Sequence, residues 1–296
     1  MKTISVIPDS KEHWLRLRHQ NINSTEVSCL FDCNKYSSAF QLWHEKRQPD
    51  PTSLEESLRM KMGTKFQSAI AEVIAEQESW IVEPMPEYIY SEEYKIGSSF
   101  DYRLVNQRSI LEIKNVDSLI FRNDWDEENM PPHIELQVQQ QMLLSGYLKA
   151  VVGVCVGGNQ INLYHRDYNH DIGQAILLKV NEFFLLEAPP AVDYAKDFEY
   201  INSLYQTVTP GQIIESTQDM DDVVAAYQSV SEQIKELEVR KDQYKAQMLT
   251  LIGESEKVKS PFYTISCGMT AETQLNYTRK AFRNFRITPK KIKETK

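Results

Sequence analysis

Two stretches, GSSFDY at residues 97–102 and ILEIK at residues 110–114, decide the fold of this chain. Together they predict a β-hairpin whose first strand ends at Asp101 and whose second strand carries Glu112 and Lys114. Because side chains alternate along a strand, Glu112 and Lys114 lie on one face and Ile113 lies on the other. A carboxylate and an ammonium in such an apolar strand are costly unless they are paired or bind a metal.

These three polar side chains suit metal-assisted cleavage of a phosphodiester. Asp101 and Glu112 can hold a hard divalent cation, and Lys114 can orient or activate the attacking water. The pattern alone is loose, since many hairpins carry an exposed Glu–Lys pair. The segments on either side therefore decide between a site and a solvated hairpin.

The composition is typical of a soluble globular protein. The chain has 296 residues, of which 25% are charged, and a mean hydropathy of -0.48. It is long enough for a full core, and no apolar run reaches the roughly 20 residues of a membrane span. Its N-terminus lacks the apolar stretch of a secretion signal. The four cysteines fit neither a zinc nor a disulfide framework, so we expect a cytoplasmic protein that does not enter a membrane.

The formal net charge of -9 is unevenly distributed. Residues 279–296 hold eight Lys or Arg and one acidic residue, which gives +7 and leaves -16 for the remainder. An acidic exterior is compatible with DNA that enters a locally basic channel, but composition does not show such a channel.

Hydrophobic periodicity predicts a mixed α/β core. Helices are expected over 11–48, 53–77, 133–145 and 171–186, and strands over 80–82, 88–90, 94–101, 109–116, 150–156 and 161–166. A hydroxyl in the segment 23–26 is expected to cap a helix that begins at Val27. Two prolines at 189–190 end the core and divide the chain into predicted domains of 1–190 and 191–296.

The second region is predicted to contain a connector, a heptad helix, a small hairpin and a basic tail. Apolar residues from Val223 to Leu251 recur at alternating spacings of four and three, broken only by Lys241. This spacing predicts either an amphipathic helix packed within the chain or a coiled-coil-like hairpin or oligomer contact. Short apolar runs at 262–265 and 282–287 predict the small hairpin.

Four local motifs resemble those of YqaJ-type viral recombinases, the lambda-exonuclease-like family, over roughly residues 10–190. Trp14 is followed by Arg18 and then by Thr25, and GTKFQ at 63–67 resembles the second family motif. The hairpin gives the third motif, with SFD at 99–101 where the family has Ser-Pro-Asp. Gln137, on the helix after two prolines, gives the fourth. The resemblance implies a PD-(D/E)xK, restriction-endonuclease-like core with a mixed central sheet flanked by helices, plus a C-terminal helical extension.

The resemblance also implies roles for the catalytic residues. Asp101, Glu112 and the backbone carbonyl of Ile113 would coordinate Mg²⁺, for which Mn²⁺ could substitute. Lys114 would position the hydrolytic water, and Gln137 would orient that water or the scissile phosphate.

A terminal 5′ phosphate of DNA would be held by Arg18, Thr25 and Ser99, again by resemblance. Guanidinium groups bind phosphate through two parallel hydrogen bonds, which makes the assignment chemically sensible. Family members usually carry a glutamate where this chain has Gln67. Either Gln67 supports the metal site from an outer position or Glu72 approaches the metal instead. The number of metal ions that bind, one or two, therefore stays open.

The function implied is a Mg²⁺-dependent 5′→3′ double-strand DNA exonuclease of a phage recombination system. It would act at duplex ends in the bacterial cytoplasm, leave a 3′ single-stranded tail for an annealing protein, and form a homo-oligomer, a trimeric ring. Two alternatives stay open: a structure-selective or defence-related endonuclease of the same fold, and a catalytically weak DNA-binding or inhibitor protein. An iron–sulfur helicase-nuclease is disfavoured because its four-cysteine framework is missing.

Overall fold

The structure, a computed structural model, describes residues 1–51, 57–274, 278 and 287. It divides into two compact units, Met1–Asn202 and Ser203–Lys296. This division lies 12 residues after the predicted domain boundary at residue 190. The assignment of residues 1–190 as the exonuclease domain stays a prediction.

The first unit alternates helices with strands, as expected for a mixed α/β core. Its strands are β1 Ile4–Val6, β2 Ile22–Asn23, β3 Val82–Pro84, β4 Tyr88–Ser91, β5 Ile96–Ser98, β6 Tyr102–Leu104, β7 Ser109–Val116, β8 Lys149–Val156 and β9 Gln160–Asp167. Its helices are α1 Lys11–Gln20, α2 Ala39–Lys46, α3 Leu58–Glu78, α4 Ser118–Asp124, α5 Pro132–Ser145, α6 His170–Leu185 and α7 Phe198–Leu204, the last of which runs past the division.

The larger sheet has five strands in the order β3-β6-β7-β8-β9. Only β7 and β8 are parallel among these neighbours, and they pair from Ser109 opposite Lys149 to Val116 opposite Val156. Leu111 and Ile113 of β7 pack in one apolar cluster with Ile74 of α3. Ile110 lies in the other apolar cluster, which includes the core residues of α5. The sheet is thus covered by α3 on one face and α5 on the other, and the predicted mixed fold is confirmed.

A smaller sheet, ordered β1-β4-β5-β2, places residues 22–24 beside residues 96–98. The Tyr88 hydroxyl donates to Asn23 Oδ1 at 2.7 Å inside this layer. A Cβ on Gly97 would lie 2.1 Å from the Tyr88 hydroxyl oxygen, so only glycine fits there. The Ser24 backbone N–H, in the loop that follows β2, donates to the Gly97 carbonyl at 3.1 Å.

The prediction of one continuous strand over 94–101 is wrong. The strand ends at Ser98, residues 99–101 cross between the sheets, and β6 begins at Tyr102. The run is divided because β5 pairs within the smaller sheet, whereas β6 pairs with β3 and β7 of the larger one. Asp101 therefore precedes the hairpin strand instead of ending it.

The prediction of helix throughout 11–48 is also wrong in part. A two-residue strand, β2, interrupts it, and the turn over Val27–Phe31 is a 3₁₀ helix with no side-chain cap. The Glu26 carboxylate instead accepts the Asn23 backbone N–H at 2.9 Å, and the Thr25 hydroxyl accepts from Arg18 at 3.3 Å. The helix predicted over 53–77 is confirmed from residue 58, and residues 53–56 lie outside the described residues.

The second unit contains the long helix α8 Gln218–Ile252, as its heptad spacing predicts. A hairpin follows, in which β10 Lys257–Lys259 pairs with β11 Thr264–Ser266. The apolar run at 262–265 thus supplies the turn and part of the second strand of this hairpin. Residues 282–286 of the other run, and the basic tail apart from Ile287, lie outside the described residues. Among the described residues, no helix is both long and apolar enough to cross a membrane.

Candidate active site

The carboxylate of Glu112 lies inside the first unit, on the side of β7 that faces α5. Glu112 is only 4% exposed. Lys114 donates from its Nζ to Glu112 Oε1 at 2.7 Å and to Gln137 Oε1 at 3.0 Å. Gln137 in turn donates to Glu112 Oε1 at 2.6 Å. The period-2 spacing of β7 therefore brings Glu112 and Lys114 together, and Gln137 joins them from α5.

Sequence reasoning missed a second glutamine of this site. Gln141 Nε2 donates to Glu112 Oε2 at 2.8 Å and to the Ser99 carbonyl at 3.1 Å. It lies one helical turn after Gln137, which is the signal that could have found it. The glutamine-rich face of α5 also differs from a solvated face, because its four glutamines, residues 137 and 139–141, are buried.

Asp101 lies beside this pair and is held from two directions. Its Oδ2 accepts the Ile113 backbone N–H at 2.8 Å, and its Oδ1 accepts Gln67 Nε2 of α3 at 2.9 Å. The N–H and C=O of one strand residue point to the same side of the strand, so the Ile113 carbonyl faces the edge where Asp101 lies. Gln67 is thus the residue of α3 that contacts Asp101. Glu72, the predicted alternative to Gln67, is exposed. We name Asp101, Glu112, Lys114 and the Ile113 carbonyl the acidic cradle.

The three residues predicted to hold a phosphate lie in one connected group. Arg18 donates to the Thr25 hydroxyl at 3.3 Å, and its guanidinium lies over the Trp14 ring, 4.8 Å from the centroid. The Trp14 indole N–H donates to the Ser99 hydroxyl at 2.9 Å. Trp14 therefore connects Arg18 and Thr25 to Ser99, although they are far apart in sequence. We name Trp14, Arg18, Thr25 and Ser99 the phosphate cluster.

A largely buried ion pair between Glu26 and Lys46 contacts Arg18 and holds it in place. Glu26 lies 3.7 Å from the Arg18 guanidinium and 2.7 Å from Lys46 Nζ, and Lys46 also donates to the Arg18 carbonyl at 2.8 Å. Burial opposes the charge on Glu26, but Lys46 and Arg18 outweigh it and lower the pKa of that carboxyl. Lys46 is 28 residues from Arg18, so no local pattern could have indicated its role.

Ser99 links the two groups. Its hydroxyl accepts from Trp14 of the phosphate cluster, its carbonyl accepts from Gln141, and it lies two residues before Asp101. A phosphate held by the cluster would thus be next to the acidic cradle.

Residues 13–148 match the model of the YqaJ-like viral recombinase domain. This segment contains every residue of the acidic cradle and of the phosphate cluster. After the family model that it matches, we call this segment the recombinase domain. The resemblance predicted from the sequence motifs is confirmed.

Beyond the family model, the chain is also similar to individual proteins. The chain is 25% identical over 237 residues to the protein YqaJ of Bacillus subtilis strain 168, which covers 77% of this chain and 74% of that protein. An alkaline exonuclease from Laribacter hongkongensis superposes with a TM-score of 0.47 and 14% identity, covering 66% of this chain and 97% of the other. A phage-related exonuclease from Haemophilus somnus 129PT gives a TM-score of 0.42 and 10% identity, covering 58% and 96%.

The electrostatics of the acidic cradle fit a divalent cation. Burial, and then the nearby charge of Glu112, raise the pKa of Asp101 to about 7. Burial opposes the charge on Lys114, but Glu112 and Asp101 outweigh it and raise the pKa of Lys114. Two neighbouring carboxylates and a carbonyl are the hard oxygen ligands that Mg²⁺ prefers. Within the described part of the chain, no group of three or more His, Cys, Asp or Glu could hold a metal ion.

We expect Lys114→Met to destabilise the recombinase domain by about 3 kcal/mol, because Glu112 would keep a buried charge without its cation. Urea unfolding without metal at neutral pH measures this loss. The matched control is Lys149→Met, at an exposed lysine on the neighbouring strand, which should change little. The double variant Glu112→Gln, Lys114→Met should recover part of the loss, and a double variant less stable than Lys114→Met would contradict this account of the pair.

Proposed function

We propose that the recombinase domain is a Mg²⁺-dependent double-strand DNA exonuclease that starts at a 5′-phosphorylated end. The supporting observation is the contact of Ser99 with both sites: its hydroxyl belongs to the phosphate cluster and its carbonyl meets Gln141 beside Glu112. A terminal phosphate and a nearby phosphodiester could therefore be bound together. An interior position of a duplex offers no terminal phosphate, which favours an enzyme that acts at ends.

The chain's own residues would divide the work between binding and chemistry. Arg18, Thr25 and Ser99 would fix the terminal phosphate, so that polarity and register follow from positioning instead of base recognition. Mg²⁺ bound to Asp101 and Glu112 would neutralise phosphate charge and lower the pKa of the attacking water. Lys114 Nζ, held by Glu112 and Gln137, would donate a hydrogen bond to that water or to the phosphate.

The biological setting of the proposal comes from the family resemblance. We place the enzyme in a phage recombination system within the bacterial cytoplasm, where it would degrade one strand in the 5′→3′ direction. The remaining 3′ single strand would pass to an annealing protein. A homo-oligomeric, trimeric ring around DNA would keep the enzyme on its substrate.

One observation favours a second candidate, a catalytically weak DNA-binding or inhibitor protein. Gln67 gives Asp101 a neutral hydrogen-bond donor at the position where family members usually carry a glutamate. The cradle therefore has one carboxylate fewer with which to hold a second metal.

Nuclease assays on linear and closed circular duplex DNA test the proposal. With Mg²⁺, the wild-type protein should release acid-soluble nucleotides from the linear DNA and leave the circle intact. Lys114→Ala should slow release by roughly a hundredfold or more, as expected for loss of a group that acts at the reacting centre. Nicking of the circle would favour the endonuclease, and no release from linear DNA by folded wild-type protein would favour the weak binder.

Removing the 5′ phosphate should slow initiation on linear DNA, because Arg18 would lose its charge-assisted contact. Arg18→Ala should erase the difference between phosphorylated and dephosphorylated ends. Arg16→Ala is the matched control, since this exposed arginine lies on the same helix outside the phosphate cluster. Equal wild-type rates on the two ends would contradict the assignment of the phosphate cluster.

Metal affinity should depend on the protonation of Asp101, whose pKa is raised to about 7. Below that pH a proton must leave before the carboxylate can bind, so Mn²⁺ affinity should rise about tenfold per pH unit and level off above pH 7. Calorimetric titration of the DNA-free protein between pH 5.5 and 8.5 measures this slope. Without metal, folding stability should depend on pH in the opposite direction to metal affinity. The folded state holds a proton on Asp101 that the unfolded chain releases near pH 3.8, so the free energy of unfolding falls as pH rises toward 7. Wild-type affinity that is independent of pH below 7 would contradict a role for Asp101 as ligand.

A further inference from the structure

The long helix α8 carries an apolar seam that is exposed to solvent. Val230, Ile234 and Leu237, at its centre, are 54%, 50% and 59% exposed. The seam continues at alternating spacings of three and four toward both ends of the helix. Its members are Met220, Val223, Tyr227, Val230, Ile234, Leu237, Lys241, Tyr244, Met248 and Leu251. A two-stranded coiled coil has this spacing, since each seam residue packs between residues of a facing helix.

We propose that the seam of α8 pairs with the seam of a second copy of this chain, in antiparallel orientation. When Ile234 faces Leu237 of the second copy, Val223 faces Met248 and Met220 faces Leu251. The twofold axis then passes between residues 235 and 236, at the middle of the helix Gln218–Ile252. One register therefore covers almost the whole length of both helices, with the same surface used by each copy.

Charge favours the antiparallel orientation over the parallel one. Residues 218–235 carry four acidic residues and one lysine, a net -3, whereas residues 236–252 carry three acidic and three basic residues, a net of zero. A parallel pair would set the two acidic halves side by side and would bring Lys241 against Lys241. The antiparallel pair places each acidic half against a neutral half, with Lys241 opposite Val230. Antiparallel helix dipoles are also mutually favourable.

The same charges disfavour DNA as the occupant of the seam. The whole helix has seven acidic and four basic residues, a net of -3, and affinity for DNA comes mainly from Lys and Arg contacts to phosphate. An apolar stripe flanked by this charge suits a protein helix of the same kind.

A matched pair of substitutions in the full-length chain tests the proposal. Leu237 of the seam and Val239 of the outer face are both 59% exposed in the single chain. Leu237→Lys should weaken self-association through α8 by roughly tenfold or more in analytical ultracentrifugation, whereas Val239→Lys should leave it unchanged. Equal effects of the two substitutions, or no effect of Leu237→Lys, would overturn the proposal.

Disulfide trapping tests orientation separately from any assembly of the recombinase domain. Met220→Cys and Leu251→Cys are made in a full-length background with Cys33→Ser and Cys267→Ser, and the two proteins are mixed under oxidising conditions. The mixture should give a covalent dimer of one chain of each kind. Met220→Cys alone should not cross-link, because two copies of residue 220 would be about 45 Å apart along the pair, far beyond disulfide reach. Efficient cross-linking of Met220→Cys alone, or none in the mixture, would overturn the proposal.

Discussion

The structure of the recombinase domain depends on one constraint. The buried carboxylate of Glu112 needs partners that compensate its charge. A charge that is 4% exposed would be prohibitively costly in an apolar interior without partners. Lys114 comes from the same face of β7, and Gln137 and Gln141 come from successive turns of α5. These contacts fix the register of α5 on the sheet, because a helix rotation that buried apolar residues there would leave the carboxylate unsatisfied. The side chains of the proposed site are thus held in place by their own contacts, which is the preorganisation that a functional site requires.

The crossing between the two sheets brings the phosphate cluster and the acidic cradle together. Residues 99–101 leave the smaller sheet, which positions the phosphate cluster, and enter the larger sheet, which carries the acidic cradle. Ser99 at one end contacts Trp14, and Asp101 at the other contacts Ile113 and Gln67. The geometry of these three consecutive residues thus sets the separation between the phosphate cluster and the acidic cradle.

Much of this arrangement could be predicted from the sequence, and the remainder depends on tertiary pairing. Alternation along β7 predicted that Glu112 and Lys114 share a face, and the family motifs pointed to Arg18, Thr25 and Ser99, which the structure brings together. The break after Ser98 could not be predicted, because local propensity does not say which sheet captures each half of an extended run. The spacing of Gln141, one helical turn after Gln137, could have indicated it. Glu26 and Lys46 could not be predicted, because packing and not sequence spacing brings Lys46 to Glu26 and Arg18.

The most direct test is a crystal structure of the Lys114→Ala protein with Mn²⁺ and a duplex that carries a 5′ phosphate. Anomalous scattering locates the ion independently of the protein. The account predicts Mn²⁺ within about 2.5 Å of carboxylate oxygens of Asp101 and Glu112. It also predicts the terminal phosphate against Arg18, Thr25 and Ser99. An ion bound elsewhere, or a terminal phosphate away from the phosphate cluster, would contradict it.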